Sequence, residues 1–410
     1  MQAVLASIRK LLSGVPLDER FVFTRRMRMF RGVLMIVGLV LVGVGIGMDP
    51  EGWHSPRFWT AWLVNHWYFW MVALGALFFI AVNYVTEGGW YVLLKRVYEA
   101  LSTYVWVGGI FTFAVLLGMH ALYHWTHEPL DELLQKKVAY LNESGFIMRM
   151  IVYVAVWSFF AWRLRSLSLK EDTADNPLAI YHKAKVWSVI YILLFGITFS
   201  VASWDLLMSL EPHWYSTMYA VYTFAGMFVA GTASAILFTY FLKRNGYLQL
   251  VNENHYHDLG KFLFAFSIFW TYIWFGQFML IWYANIPEEV AYFYRRLVEG
   301  DYAFLFWGML VINFVVPFLF LMRNDEKRKL KWLAFVALLV MVGRWFDVYL
   351  LVVPGVLGAD WSIGLMEVGF FLFYLGLLGY VVLSSLTKAP LYPQQHPYLV
   401  ESVYHEVLEA

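Results

Sequence analysis

The 410-residue sequence contains no cysteine. That absence excludes disulfides, thiolate-bound zinc or iron–sulfur centres, and thioether-linked haem within this chain. Charge is also scarce: Asp, Glu, Lys and Arg make up 14% of the residues, against about 25% in ordinary soluble domains. A soluble protein this poor in charge cannot cover its own surface, so the surplus apolar surface has to face lipid. A net charge of +1 gives nucleic acid no reason to bind. The alternating segments of about 10 residues that mark outer-membrane strands are also missing.

What fills the chain instead is apolar. Hydrophobic residues reach 61% and aromatic residues 20%, the latter matching the interfacial belts of membrane proteins. A membrane helix needs about 20 mostly apolar residues. Ten such runs are present, near 29–48, 58–83, 99–122, 146–163, 185–207, 214–241, 261–284, 302–322, 331–353 and 362–386. The sequence therefore predicts an all-α integral membrane protein with ten transmembrane helices. An N-terminal segment (1–28) and a C-terminal tail (387–410) flank a membrane domain at 29–386. The first 28 residues are mostly polar or basic and do not form a cleavable leader pattern, so the first run is read as an anchor.

Sorting the basic residues by alternate loops places 23 of the 30 on the side of the N-terminus, among them Arg9, Lys10, Arg96, Lys170, Lys243 and Lys331. The other side receives Arg57, Lys136, Lys137, Arg295 and Arg296, while Arg149 and Arg344 fall within spans. This asymmetry predicts that both termini are cytoplasmic. The longest outer loop, 123–145, has room for a small amphipathic helix, and the inner loop 166–183 reads as polar and mobile.

An ionisable group inside a bilayer costs several kcal/mol unless paired or hydrated, roughly 2.5–3.5 kcal/mol on insertion scales, so each one is a functional candidate. His66, Asp205, Arg344, Asp347 and Glu367 all fall in the outer half of their spans, and the inner half holds acids only near its mouth, at Glu87, Glu99 and Asp258, with Lys261 beside them. This asymmetry suggests an acid-lined cavity opening outward and a more apolar or hydroxyl-lined inner half, a pattern suited to carrying protons. The structural alternative is that these groups neutralise one another. Arg344 and Asp347 are i, i+3 neighbours, Asp205 precedes a short turn, and His66 sits among aromatic residues. Glu367 has no cation on its own helix.

Haem ligation is disfavoured, because His120, His124 and His127 lie at the outer edge of span 3, where span 2 offers only the deeper His66. No metal site, phosphate-binding loop or metalloprotease motif is present. Gly38, Gly43, Gly45 and Gly47 are read as helix-packing positions.

Three stretches carry a resemblance. One runs from Ser203-Trp204-Asp205-Leu206-Leu207-Met208 through Glu211-Pro212-His213-Trp214-Tyr215-Ser216-Thr217-Met218-Tyr219 to Tyr222-Thr223-Phe224-Ala225-Gly226. Another joins His257-Asp258-Leu259-Gly260-Lys261, Phe269-Trp270-Thr271-Tyr272-Ile273-Trp274-Phe275 and Ile281-Trp282-Tyr283-Ala284-Asn285-Ile286-Pro287-Glu288-Glu289. The third is Gly343-Arg344-Trp345-Phe346-Asp347. Over about 21–386 the chain resembles the NrfD/PsrC-like membrane subunits of alternative complex III, a bacterial quinol:electron-acceptor (quinol:cytochrome c) oxidoreductase, and within them the ActF type.

The resemblance implies two four-helix bundles, at about 58–207 and 214–353, with the first and last helices packed outside. It implies a multi-pass subunit of the respiratory chain in the bacterial cytoplasmic (inner) membrane. Such a subunit has no redox cofactor of its own and contributes to proton translocation and complex assembly. Iron–sulfur clusters and c-type haems would belong to partner subunits: an iron–sulfur protein, c-haem subunits and an ActC-like sister membrane subunit, the usual candidate for quinol oxidation. Asp205, Arg344 and Asp347 lie within the family-like stretches; His66 and Glu367 do not. Other readings are a quinol site in this chain built on His66 and Tyr68, and a purely structural scaffold. A secondary transporter is disfavoured, because no two helices are clearly broken at matching positions.

Overall fold

The computed structural model describes residues 16–406. The N-terminal expectations at residues 1–15, including Arg9 and Lys10, and the last four residues of the tail lie outside the described residues. The described chain is all-helical, and ten helices are long and apolar enough to cross a membrane. They are α1 (Arg25–Met48), α2 (Pro56–Val85), α3 (Trp90–Leu117), α4 (Glu143–Glu171), α5 (Pro177–Leu206), α6 (Tyr219–Arg244), α7 (Glu253–Ala284), α8 (Ala303–Leu321), α9 (Leu330–Leu357) and α10 (Leu365–Leu386).

Local chemistry sets many of the helix starts. Thr24, Ser55, Asn142, Asn176 and Asn252 each accept a backbone N–H of the first turn. Pro56 and Pro177 follow two of these caps, at a position where a missing N–H costs nothing. Several helices run further than their apolar stretches. The loop expected at 166–183 shrinks to the few residues between α4 and α5. Span 3 begins at Trp90 rather than near 99, because its charged first turns, with Lys95, Arg96 and Glu99, are buried against protein. The 123–145 segment does hold a short helix, Glu132–Lys137, capped by Asp131. There the N–H of Leu134 and the His213 ring hold the Asp131 carboxyl below its usual range.

The central element is α2, with 24 of its 30 residues buried. It packs against α3, α5, α6, α9 and α10. Neighbouring contacts run α2–α3–α4–α5 and back to α2, and again α6–α7–α8–α9 and back to α6. α1 lies along α10 and shows lipid-type side chains such as Ile36 and Val40 to the outside. Backbone meets backbone between α2 and α6, where a Cβ on Gly75 would lie 2.4 Å from the Met227 carbonyl oxygen and one on Gly231 would lie 2.7 Å from Gly75 C. Of the span 1 glycines, Gly38 and Gly45 do face α10, whereas a Cβ on Gly43 or Gly47 would meet nothing within 4 Å.

One face of the helix array is tied together by the C-terminal tail and is called the tail face below. Leu391 N–H donates to the Glu19 carbonyl (2.7 Å), Gln394 N–H to Asp172 (2.9 Å), Ser402 Oγ to the Trp90 carbonyl (2.8 Å), and His405 pairs with Asp258 (2.7 Å). His396 is buried between the Tyr84 and Tyr181 rings. Burial, and then the nearby Lys95 and Arg96, push its imidazole well below the ordinary histidine value.

Two expectations follow. Gly231→Leu forces α2 and α6 apart and destabilises the protein by about 1–3 kcal/mol, seen as a lower Tm in detergent. His396 stays neutral when folded, whereas an unfolded or detached tail takes up a proton below about pH 6.5. Its contribution is therefore complete above that pH and is lost on acidification, at up to about 1.4 kcal/mol per pH unit. Protection factors of the tail amides, with the intrinsic pH dependence of exchange divided out, should fall between pH 7.5 and 5.5, and the fall should shrink in His396→Gln.

Candidate functional site

The sequence-derived candidates fall into separate networks, of which one borders a small internal cavity. Arg344 and Asp347 on α9 form an ion pair of 3.3 Å, fully inside the protein. The Tyr222 hydroxyl of α6 donates to Asp347. Arg344 Nε donates to Asn313 Oδ1 (2.9 Å), and its guanidinium lies 3.9 Å from the centre of the Trp270 ring. Asn313 reaches this position from a π-turn, Val311–Val315, inside α8 and just before Pro317. Such bulges recur where a helix re-aims one side chain. Gly226 and Gly343 leave room for the pair, since a Cβ on Gly226 would lie 2.9 Å from Arg344 Nη1 and one on Gly343 would lie 2.8 Å from Asn313.

From Asp347 a small cavity of about 20 Å³, lined by Tyr222, Gln277, Tyr292 and Arg296, leads away from the tail face. That is room for about one water. Arg296 is buried and donates to Glu211 (2.6 Å) and to the Leu350 and Tyr292 carbonyls, with the Tyr292 ring 3.4 Å beneath it. Burial alone would lower this guanidinium, but Glu211 outweighs it and holds the group above its ordinary value. Arg295 takes the other Glu211 oxygen (2.8 Å) and is partly exposed. Beyond it opens a vestibule of about 460 Å³, with His124, His213 and Glu288 at its walls. Two bonded groups, Arg344–Asp347–Tyr222 in the helix interior and Arg296–Glu211–Arg295 toward the surface opposite the tail, thus border the same cavity from two sides.

The remaining candidates are partnered elsewhere. Asp205 is fully buried and receives both arms of Arg149 from α4 (2.8 and 3.0 Å), which in turn lies over Tyr140. Glu367 has a cation after all, on α2 rather than on its own helix: Arg57 at 3.4 Å. It also accepts the Gly364 N–H (2.7 Å), which makes it the cap of α10. His66 is sandwiched between Trp62 and Trp70, with Nε2 on Thr112 (2.9 Å). Tyr68 turns away from it and donates to the Met341 carbonyl (2.9 Å).

Toward the tail face, Glu99 belongs to a buried cluster of three cations and three carboxylates: Lys95, Arg96, Arg165, Glu99, Glu171 and Asp172. Lys95–Glu171 spans 3.1 Å and Arg96–Glu99 2.8 Å. Burial raises the Asp172 carboxyl, with Arg96 opposing it. Asp258 pairs with Lys261 (2.5 Å) and His405, and a Lys185 hydrogen bond holds Glu87 below its usual range.

Sequence reasoning missed Glu211, Arg296, Asn313 and Tyr222 as members of the path, and Arg149 as the partner of Asp205. The available signals were a lone Asn in the apolar run Val311-Ile312-Asn313-Phe314-Val315 and a lone Arg two turns into α4. No group of three or more His, Asp or Glu suited to a metal occurs among the described residues. α3 and α8 are both interrupted, but at non-corresponding places in the helix order. No protein-family model matches the chain, and no curated protein matches it.

Removing one partner of the Arg149–Asp205 pair strands a buried charge, which costs about 3–5 kcal/mol. Arg149→Met alone should therefore lower stability strongly, and Arg149→Met with Asp205→Leu should recover most of the loss in a double-mutant cycle of unfolding.

Proposed function

We propose that this chain is a proton-conducting membrane subunit of a respiratory quinol:electron-acceptor oxidoreductase of the alternative complex III type, similar to its NrfD-like ActF subunits. In this reading the two closed sets of helix contacts are two four-helix bundles. The tail face, rich in Lys and Arg, is cytoplasmic. Electrons pass through clusters and haems of partner subunits, and this chain supplies a route for protons. The family-like sequence stretches support the identity. The observation that carries the proton role is the polar path from the buried Arg344–Asp347–Tyr222 group past Arg296 and Glu211 to the vestibule.

A proton on Asp347 has Tyr222 as its first neighbour, and the 20 Å³ cavity beside them has room for one water between Asp347 and Arg296, with Glu211 on the far side of the Arg296 guanidinium. Arg344, 3.3 Å from the Asp347 carboxyl, attracts its deprotonated form directly. On the tail side, the buried hydroxyls of Thr239 and Ser267 have no hydrogen-bond partner among the described residues, which suits a water-assisted approach.

The test is turnover-coupled proton movement in proteoliposomes of the assembled complex. Asp347→Asn and Glu211→Gln should each cut protons moved per electron at least twofold, with quinol oxidation continuing under uncoupled conditions. Unchanged proton movement in both would refute the conduction role.

A second reading, quinol binding by this chain, draws on a lateral apolar groove of about 500 Å³ bordered by Tyr68, Ser234, Trp345, Glu367 and Phe371. His66 does not line that groove, so the polar contacts would come from Glu367 and Ser234. Normal quinol kinetics in Glu367→Gln would remove this reading.

A further inference from the structure

A second lateral groove, of about 700 Å³, lies between α3, α4 and α10 on the tail-face half of the molecule. Its lining includes three cations, Arg165, Lys170 and Lys388, and hydroxyls such as Thr103, Ser166 and Ser384, but no Asp or Glu. Lys170 and Lys388 are exposed and have no ion pair among the described residues. Arg165 is nearly buried. Its Nη2 donates to the Ser385 carbonyl (2.9 Å), while Nη1 stands 3.5 Å from Glu99 with no hydrogen bond.

The groove is graded with depth. Lys170 is in the last turn of α4, Arg165 lies about 7 Å deeper and Trp162 about 12 Å deeper, at 1.5 Å rise per residue. On α10 the order repeats, with Lys388 past the final turn, Ser384 next and Tyr380 a turn further in. Trp106 (52% exposed), Trp162 (61%) and Tyr380 (42%) leave the apolar part open sideways. The cations are therefore at headgroup level and the aromatic rings lie where acyl chains begin.

We infer that this groove binds one anionic phospholipid of the surrounding bilayer. Its phosphodiester sits between Lys170 and Lys388 with Arg165 below, and an acyl chain lies along Trp106, Trp162 and Tyr380. Charge complementarity selects the occupant: a rim with two unpaired lysines and no carboxylate, above an Arg165 already paired with Glu99 at 3.5 Å, attracts a net negative headgroup, whereas a zwitterionic lipid brings its own cation to the same rim. The inference rests on the membrane placement of the ten helices and not on the proton path, so the two fail separately.

The experiment is native mass spectrometry of the full-length protein released from nanodiscs containing equal amounts of phosphatidylglycerol and phosphatidylcholine. The wild type should retain one phosphatidylglycerol with about tenfold preference, as expected for two or more lysine-strength contacts. K170Q/K388Q should bring the preference close to parity. V381W, which fills the apolar floor and leaves the cations, should reduce phosphatidylglycerol retention at least fivefold. Thermal unfolding of each variant checks folding, and the single exchanges K170Q and K388Q, at exposed positions, serve if the double variant is unstable. Equal retention of the two lipids by the wild type, or a preference that survives loss of both lysines, overturns the inference. So does displacement of the lipid by millimolar inorganic phosphate, or retention unchanged in V381W, since either would make this an anion site without a lipid tail.

Discussion

The contact on which the rest of the molecule depends is the backbone-to-backbone crossing of α2 and α6. Gly75 and Gly231 have no side chains there, and nothing larger than hydrogen fits between the two helices. Within lipid there is little hydrophobic drive between helices, so close van der Waals approach has to supply the association. Because α2 touches α6 so closely, it can also touch α9 on one side and α3 and α5 on the other. A helix with 24 of 30 residues buried follows from that position. The Tyr68 hydroxyl bond to the Met341 carbonyl and the Trp345 indole bond to Asn65 then tie α2 to α9.

A second constraint acts on every buried charge. Partners come from other parts of the chain: Arg149 on α4 for Asp205, Arg57 on α2 for Glu367, and Glu211 in one connecting segment for Arg296 in another. The six-membered cluster at Lys95, Arg96, Glu99, Arg165, Glu171 and Asp172 balances three charges of each sign between α3 and the end of α4. Pairs of this kind add little net stability but punish any arrangement that separates them, so they fix which helix faces which. The Arg344–Asp347 pair differs in degree. Its neighbours are Tyr222, Asn313 and a small cavity rather than further opposite charges, which leaves one carboxylate facing a space that Arg296 also lines.

The number of helices was readable because a membrane crossing writes a long unbroken apolar run. Their ends were less readable where charge continues into protein. Glu99 looks like a boundary in the sequence, yet it is buried well inside α3 because Arg96 and Lys95 accompany it. The Arg344–Asp347 contact was legible from its i, i+3 spacing. The partners of Asp205 and Glu367 were not, since Arg149 and Arg57 lie 56 and 310 positions away and only packing brings them together. Glu211 and Arg296 were hidden for another reason. They belong to connecting segments, where charged residues are ordinary, and only the fold turns those segments inward.

The tail has a consequence for the order in which the molecule becomes complete. Residues 391–405 are synthesised after all ten helices, yet they hold Glu19, Trp90, Asp172, Asn252 and Asp258 in one hydrogen-bonded set. Those contacts come from the segment before α1, the entries to α3 and α7 and the exit of α4. A nascent chain interrupted before residue 391 would possess every transmembrane helix and none of these ties. The tail therefore closes last a set of contacts whose other halves are spread over four earlier parts of the chain.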